Sequence, residues 1–212
     1  MTRIFAVYLL ISSSILVSGQ SSQKYSMVNA FQYMTKLDTR VDHSEFFGRY
    51  AEEMGLSKQD DMTMAIKQEG VNGYTHYKYT QSYSGIPVYG MSYFLHEKDG
   101  EVKTANGLFA PKLNLNTTPT LTAEEALNFA KNQMGAKQYA WESESKQAMV
   151  DKVKPHPELC IIDRALTRVT GHYALVYRIA LYNTVPYDGK QYVVDAHNGN
   201  NYKTIHLQEN RS

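Results

Sequence analysis

The sequence predicts an α+β protein of two small units, each with helices packed on an antiparallel β-meander. Three observations carry that reading. The apolar period switches from three or four residues to two, and it does so twice along the chain. Asp99-Gly100 and Asn198-Gly199 separate alternating runs, and such pairs suit two-residue hairpin turns. Tyr is unusually frequent at 17 of 212 residues, and it suits a pleated, half-buried surface. Hydrophobic residues at 42% and charged residues at 20% match a folded chain rather than a disordered one. The formal charge is only +1, from 22 Lys and Arg against 21 Asp and Glu. That balance excludes a strongly basic nucleic-acid binder.

The elements follow in order. Residues 1–19 read as a cleaved secretory signal: Arg3, then an apolar stretch from Ile4 to Val17, then Val17-Ser18-Gly19. Ser12, Ser13 and Ser14 dilute the stretch, which is too short to span ~30 Å of hydrocarbon comfortably. Export to the extracellular space or a periplasm is therefore expected, with no membrane span. Residues 20–44 form an N-terminal helical segment, with Met27, Phe31, Met34 and Leu37 as the apolar stripe of a helix over 24–37. A second helix is expected from Ser44, as its cap, to Met54, with Phe46, Phe47 and Tyr50 on its face and Gly55 at C′. Met62, Met64 and Ile66 then alternate with polar neighbours, and Val71-Asn72-Gly73 turns the chain. Tyr74 to Ser82, Val88 to His96 and Glu101 to Leu108 complete a four-stranded meander over a unit spanning 45–110.

Residues 111–119, bracketed by Pro111 and Pro119, read as a linker. Thr122 and Glu125 form a capping box, followed by Ala126, Leu127, Ala130 and Met134 on one face, with Gly135 at the end. A further helix is expected over 138–152. Strands follow at Glu158–Asp163, Tyr173–Leu181, Gln191–Ala196 and Asn201–His206. The second unit thus spans 120–207, and 208–212 is a tail.

Autonomous catalysis is not expected. No two of the seven His are four apart, whereas His-Glu-x-x-His needs two ligands one helical turn apart on one zinc ion. Phosphate loops and nucleophile elbows are also missing, so neither metal nor cofactor is expected. Cys160 sits in the apolar run Leu159-Cys160-Ile161-Ile162 and reads as a small buried hydrophobe. Glu124-Glu125 and Asp60-Asp61 read as caps and solvated charge.

The segment from Tyr74 to Gly90 resembles the fungalysin/thermolysin propeptide (FTP) signature. The matching residues are His76, Lys78, Gln81, Gly85, Pro87, Val88 and Gly90. Lys98-Asp99-Gly100, Val102 and Asn106-Gly107 are similar to the family's second hairpin. Pro157 to Ile161, Leu175 to Ile179 with Tyr177 and Arg178, and Tyr192 to Gly199 with Asp195 resemble the PepSY-type half of the same propeptides. One departure is Lys78 where Arg is common, which keeps the charge but loses bidentate geometry. The other is that the sequence ends at Ser212, where a zymogen of this family would continue into its zinc-binding catalytic domain.

The resemblance implies two cystatin/PepSY-like units, an FTP-like 45–110 and a PepSY-like 120–207. It also implies a secreted, stand-alone module that assists or inhibits a thermolysin-like metallopeptidase catalytic domain in trans, by binding. The alternative is a truncated or orphaned precursor without activity. For the motif residues themselves, Tyr77, Tyr79, Tyr83 and Tyr89 read as sheet-face packing. Arg178 is expected to pair with Asp195 or Glu158, or to be solvated, and Asp195 reads as a turn residue. For contact with a protease, Ile205, His206 and Leu207 are the candidates, because an imidazole with apolar neighbours could reach a metal and its subsites.

Overall fold

The computed structural model describes residues 35–36, 40–143, 154–166, 168–184 and 187–207. The signal at 1–19, residues 24–34 of the first expected helix, and the tail at 208–212 lie outside these. Among the described residues the architecture is α+β: two helices, α1 (Phe46–Met54) and α2 (Ala123–Met134), lie on a mostly antiparallel sheet. The strands are β1 (Thr35–Lys36), β2 (Asp60–Glu69), β3 (Tyr74–Tyr83), β4 (Ile86–Lys98), β5 (Glu101–Leu108), β6 (Glu158–Asp163), β7 (Tyr173–Thr184), β8 (Tyr187–Asp195) and β9 (Asn201–His206).

β2 to β5 form an antiparallel meander, as do β6 to β9. Asp99 and Gly100 take positive φ, 55° and 73°, the conformation that a type I′ hairpin requires. The two meanders are continuous through β4. After Ile86 and Pro87, which pair with β3, the strand swings away and meets β6 in the sheet's one parallel pairing among the described strands, Val88 opposite Ile161.

Alternation places the core. In β3, Tyr77, Tyr79, Gln81 and Tyr83 point inward. Tyr77 and Tyr79 join Tyr93, Leu95, Val102 and Ala105 beneath Phe46, Tyr50 and Met54 of α1. In the second half, Ile161, Leu175, Tyr177, Ile179, Leu181 and Tyr192 pack with Ala126 and Ala130 of α2. Tyr83, Val88, Met91, Ala110 and Leu113 belong to this second cluster, so the first meander also supplies part of the second core. A smaller cluster of Cys160, Ile162, Ala174, Val176 and Val193 lies apart from both, with Leu166 and Tyr202 against it.

Three local expectations are corrected. Thr35–Lys36, placed at the end of a helix, is a two-residue strand paired with β5. Ser44 does not cap α1. Helical hydrogen bonding starts one residue later with Glu45 at the N-cap position and no side-chain cap. The Asp42 carboxylate instead accepts from the N–H groups of Ser44 and Glu45 and from the Ser44 hydroxyl. The start of the helix expected over 138–152 is something else: Tyr139 makes a β-bridge to Asn183 and Ala140–Glu142 is a single 3-10 turn. Residues 144–152 lie outside the described ones. Elsewhere the ends match their signals. Gly55 and Leu56 donate to Glu52 and Ala51 in a Schellman closure of α1, and the Thr122–Glu125 capping box is formed in both directions.

Candidate functional site: the strand that joins the meanders

The Gly85-Ile86-Pro87-Val88-Tyr89-Gly90 run is where β4 changes partner. Thr80 pairs with Ser92 and Ser82 with Pro87. Between those pairs β3 contributes one residue, Gln81, and β4 contributes four, Val88 to Met91. Such an excess bends the strand away from its neighbour. Gly90 sits in the bend at φ 80°, a value that other residues adopt only with strain. Pro87 lacks a donor for the ladder and stands at the start of the strand beside the Ser84-Gly85 turn. The bend carries Val88 to Ile161, and both side chains are buried in the second core.

Gln81 holds the place opposite the bend. It is 2% exposed. Its Nε2 donates to Ala110 O at 2.9 Å and to Asp60 Oδ1 at 2.7 Å, and its Oε1 accepts from Ala110 N at 2.7 Å. The amide thus pairs with the backbone where β5 runs out, and it satisfies groups that would be costly to bury alone.

Tyr89 corrects the expectation of four packing tyrosines. Tyr77, Tyr79 and Tyr83 are buried, whereas Tyr89 is 43% exposed. The Arg178 guanidinium lies 3.5 Å from its ring centroid, a cation–π contact. Arg178 Nη1 also donates to Glu158 Oε2 at 3.0 Å. Of the two partners expected for Arg178, the structure has Glu158. Arg178 therefore links the bend of β4 to β6 and β7.

Asp195 makes a turn: its carboxylate accepts from the N–H groups of His197 and Asn198 and from the Tyr202 hydroxyl. Burial works to raise its pKa, yet these hydrogen bonds outweigh burial and leave it below the usual 3.8. Gly199 is needed for space as well as conformation, since a side chain there would meet the Phe129 ring of α2 at 2.7 Å. Tyr177 donates through its hydroxyl to Leu121 O at 2.9 Å, just before α2. Cys160 is buried, and burial pushes its thiol pKa up to about 12, which removes it from nucleophilic chemistry.

His76 and Lys78 lie on the face of β3 turned away from α1, and both are half-buried. His76 Nδ1 is 2.7 Å from His96 Nδ1 on β4, and His96 Nε2 is 2.7 Å from Asn106 Oδ1 on β5. Ile205, His206 and Leu207 are elsewhere, at the end of β9. His206 is 72% exposed in its side chain and 3.7 Å from Asp188 Oδ1. Leu207 N donates to Gly189 O at 2.7 Å. β9 is the last strand in the order, so its outer edge has no partner among the described residues.

The structure therefore gathers Gln81, Gly85, Pro87, Val88, Gly90 and Arg178 at one junction. It leaves the His76–Lys78 face, the Asp195–Gly199 turn and the β9 end as separate places. Sequence reasoning missed Asp60, Tyr89 and Ala110 as junction residues, because alternation says which face a residue takes and not what lies across from it. Among the described residues, no three His, Cys, Asp or Glu side chains converge as metal ligands. No helix among them is long and apolar enough to cross a membrane.

The two antiparallel meanders are thus joined by a bent shared strand and steadied by the buried Gln81 amide. Residues 67–109, which include this strand, match the Fungalysin/Thermolysin Propeptide Motif. The chain is 28% identical over 149 residues to thermolysins of Alicyclobacillus acidocaldarius subsp. acidocaldarius and Bacillus caldolyticus, covering 69% of this chain and 26% of theirs. It is 30% identical over 128 residues to neutral protease B of Bacillus subtilis (strain 168), covering 59% of this chain and 22% of that one. The chain spans about a quarter of the length of the curated relatives it matches. The Bacillus megaterium YpeB C-terminal domain aligns with 84% of this chain and 72% of its own at 15% identity, with a TM-score of 0.37, too loose a likeness to carry an argument. The resemblance to thermolysin/fungalysin-type propeptides is thereby borne out, and the chain carries a propeptide-like module of metallopeptidase precursors.

Proposed function

We propose that this chain is a secreted propeptide-like module that binds a thermolysin-like metallopeptidase catalytic domain in trans and assists its folding or blocks its cleft. The observation that carries this reading is the coincidence of the matched motif, residues 67–109, with the bent strand that builds the scaffold. The physics is binding: a preformed sheet surface stabilises one conformation of the partner over others. Residues 45–110 and 120–207 act as two units sharing β4, and 1–19 serve as the export signal.

In this proposal the contact with the protease runs through the end of β9, at Ile205, His206 and Leu207. The free edge there offers backbone groups for strand addition. A covalently attached propeptide has an effective concentration of order mM. A free chain has no such help and needs a Kd near nM, about −12 kcal/mol.

The test uses a thermolysin-like catalytic domain produced without its propeptide. Refolding yield and peptidase rate are measured with the mature chain and with a chain ending at Tyr202. The mature chain is expected to raise the yield or lower the rate, and the shortened chain to inhibit at least tenfold less. Equal inhibition by both removes the β9 end from the proposal. No effect of either chain on yield or rate overturns the module reading and favours an orphaned precursor.

A further inference from the structure

We infer that His76 and His96 form a two-histidine chelate for a divalent transition-metal ion of the zinc type, on the face of the first meander turned away from α1. This site is independent of any protease partner and of the β9 end. The two residues are directly opposite in the β3–β4 ladder. Their Nδ1 atoms converge to 2.7 Å.

The surroundings fix both rings. Asn106 Oδ1 lies 2.7 Å from His96 Nε2. A carbonyl oxygen there accepts the Nε2 proton and leaves the His96 Nδ1 lone pair aimed at His76. That is the arrangement of ligating histidines, whose second nitrogen donates to an oxygen that sets the tautomer. On the other side, Gly70 gives the His76 ring its place, since any side chain at Gly70 would collide with that ring. Gly70 has φ −108°, so it is small for the ring's sake and not for its backbone.

Without metal, one proton bridges the pair, from His76 Nδ1 to the His96 Nδ1 lone pair. On binding, that proton moves to His76 Nε2. Both Nδ1 lone pairs then face the ion, and no net proton is released from the neutral pair. Zn–N bonds of about 2.0–2.1 Å at a tetrahedral centre separate the nitrogens by roughly 3.3 Å. The pair must open by about 0.6 Å from its 2.7 Å separation, which side-chain rotations of half-buried rings supply. Water fills the remaining positions, because no third His, Cys, Asp or Glu converges there among the described residues. Imidazole favours Zn, Cu and Ni over Ca and Mg. Lys78 and Lys98 flank the pair on the same face, and Lys98 Nζ is held over the Tyr74 ring at 5.5 Å. Their charge disfavours hard cations and keeps the affinity modest. The bound ion would tie β3 to β4 within the matched motif.

The experiment titrates zinc chloride into the full mature chain by calorimetry. In parallel it follows the imidazole nitrogens of all seven histidines by NMR. One ion per chain is expected, removed by EDTA, with metal-dependent shifts at Nδ1 of His76 and His96 and at no other histidine. His76→Gln and His96→Gln should each lower the affinity at least tenfold. Asn106→Ala should lower it about 10- to 100-fold, as loss of an orienting partner does. Absence of zinc binding to the mature chain overturns the inference. So does undiminished binding to the double variant, and so do shifts centred on His197 or His206. The NMR arm reads the unaltered chain and stands even where a variant folds poorly.

Discussion

The two helices pack on their meanders in opposite ways. α1 brings Phe46, Tyr50 and Met54 to the first meander, and Phe46 and Met54 are fully buried. α2 brings Ala126 and Ala130 to the second. There the bulk comes from the sheet, through Ile161, Leu175, Tyr177, Ile179 and Leu181. Strands supply bulk in both halves, Tyr77, Tyr79, Tyr93 and Leu95 in the first. The difference is that α1 buries large side chains, whereas α2 buries only alanines fully and packs Leu127 and Met134 partly exposed. The halves should therefore respond differently to the same kind of change. α1 should be sensitive to lost volume and α2 to added volume.

Among changes in the helices the largest effect is expected from Phe46→Ala, at about 3–5 kcal/mol of unfolding free energy, read from urea denaturation. Its mirror is Ala126→Leu, where overpacking should cost about 1–3 kcal/mol. A Phe46→Ala cost below that of Ala126→Leu would break the contrast.

Between these lies the junction that belongs to both halves. Gln81→Leu leaves the N–H and C=O of Ala110 and one Asp60 oxygen without their buried partner. A cost of about 2–6 kcal/mol is expected, since each of the two fully buried Ala110 groups costs roughly 1–3. Because Tyr83, Val88, Met91 and Ala110 sit in the second core, fluorescence and circular dichroism should report one common transition. Separate transitions for the two halves would contradict the shared strand.

Acid should find the second half first. Burial works to raise Asp163, but the Thr170 hydroxyl and the N–H groups of Ala165, Thr170 and Gly171 outweigh it and hold the carboxyl below its ordinary 3.8. Asp195 is lowered in the same net way, against burial, by Tyr202, His197 and Asn198. A carboxylate lowered in the folded state adds stability above its unfolded pKa and loses it as pH falls through the folded one. The urea midpoint should therefore drop as pH falls below about 4, and Asp163→Asn with Asp195→Asn should flatten that slope. In the first half, Asp42 is lowered by the Ser44 hydroxyl and by backbone N–H groups of Glu45 and Ser44. These hydrogen bonds lie at the solvent surface, so Asp42→Asn should leave the slope nearly unchanged.

The smallest contrast is at the caps. Thr122→Ala removes a formed capping box and should cost about 1 kcal/mol. Ser44→Ala touches no cap of α1 and should stay within about 0.5 kcal/mol.

The same contrast explains what could be read in the chain beforehand. Local chemistry was legible. Alternation placed Tyr77, Tyr79 and Tyr83 inward, Asp99-Gly100 made its two-residue turn, and Thr122 with Glu125 capped, whereas Asn198-Gly199 lies in a longer connection, 196–200, ordered by Asp195. The bend of β4 was not legible as a change of partner, because Val88 meets Ile161 across more than seventy residues. Gly90 could be read only as a close backbone approach or a bulge, and Pro87 only as the entry to a strand. Ser44 read as a cap because its type suits one, yet Asp42 accepts the same N–H groups from two residues earlier. Tyr139 carried a helical pattern, but bridging to Asn183 wins over propensity. At the candidate sites, residue type and motif order could be read from the chain. The separation of the β4 junction from the β9 end needed the pairing.

The central claim is that this scaffold acts by holding a protease domain. The most direct measurement is a titration of a fluorescently labelled thermolysin-like catalytic domain, made without its own propeptide, with the mature chain. A saturable one-to-one complex is predicted, with a Kd near nM and release when the active-site cleft is filled by a competing peptide. Absence of a complex at micromolar concentrations, or a complex indifferent to that peptide, would contradict it.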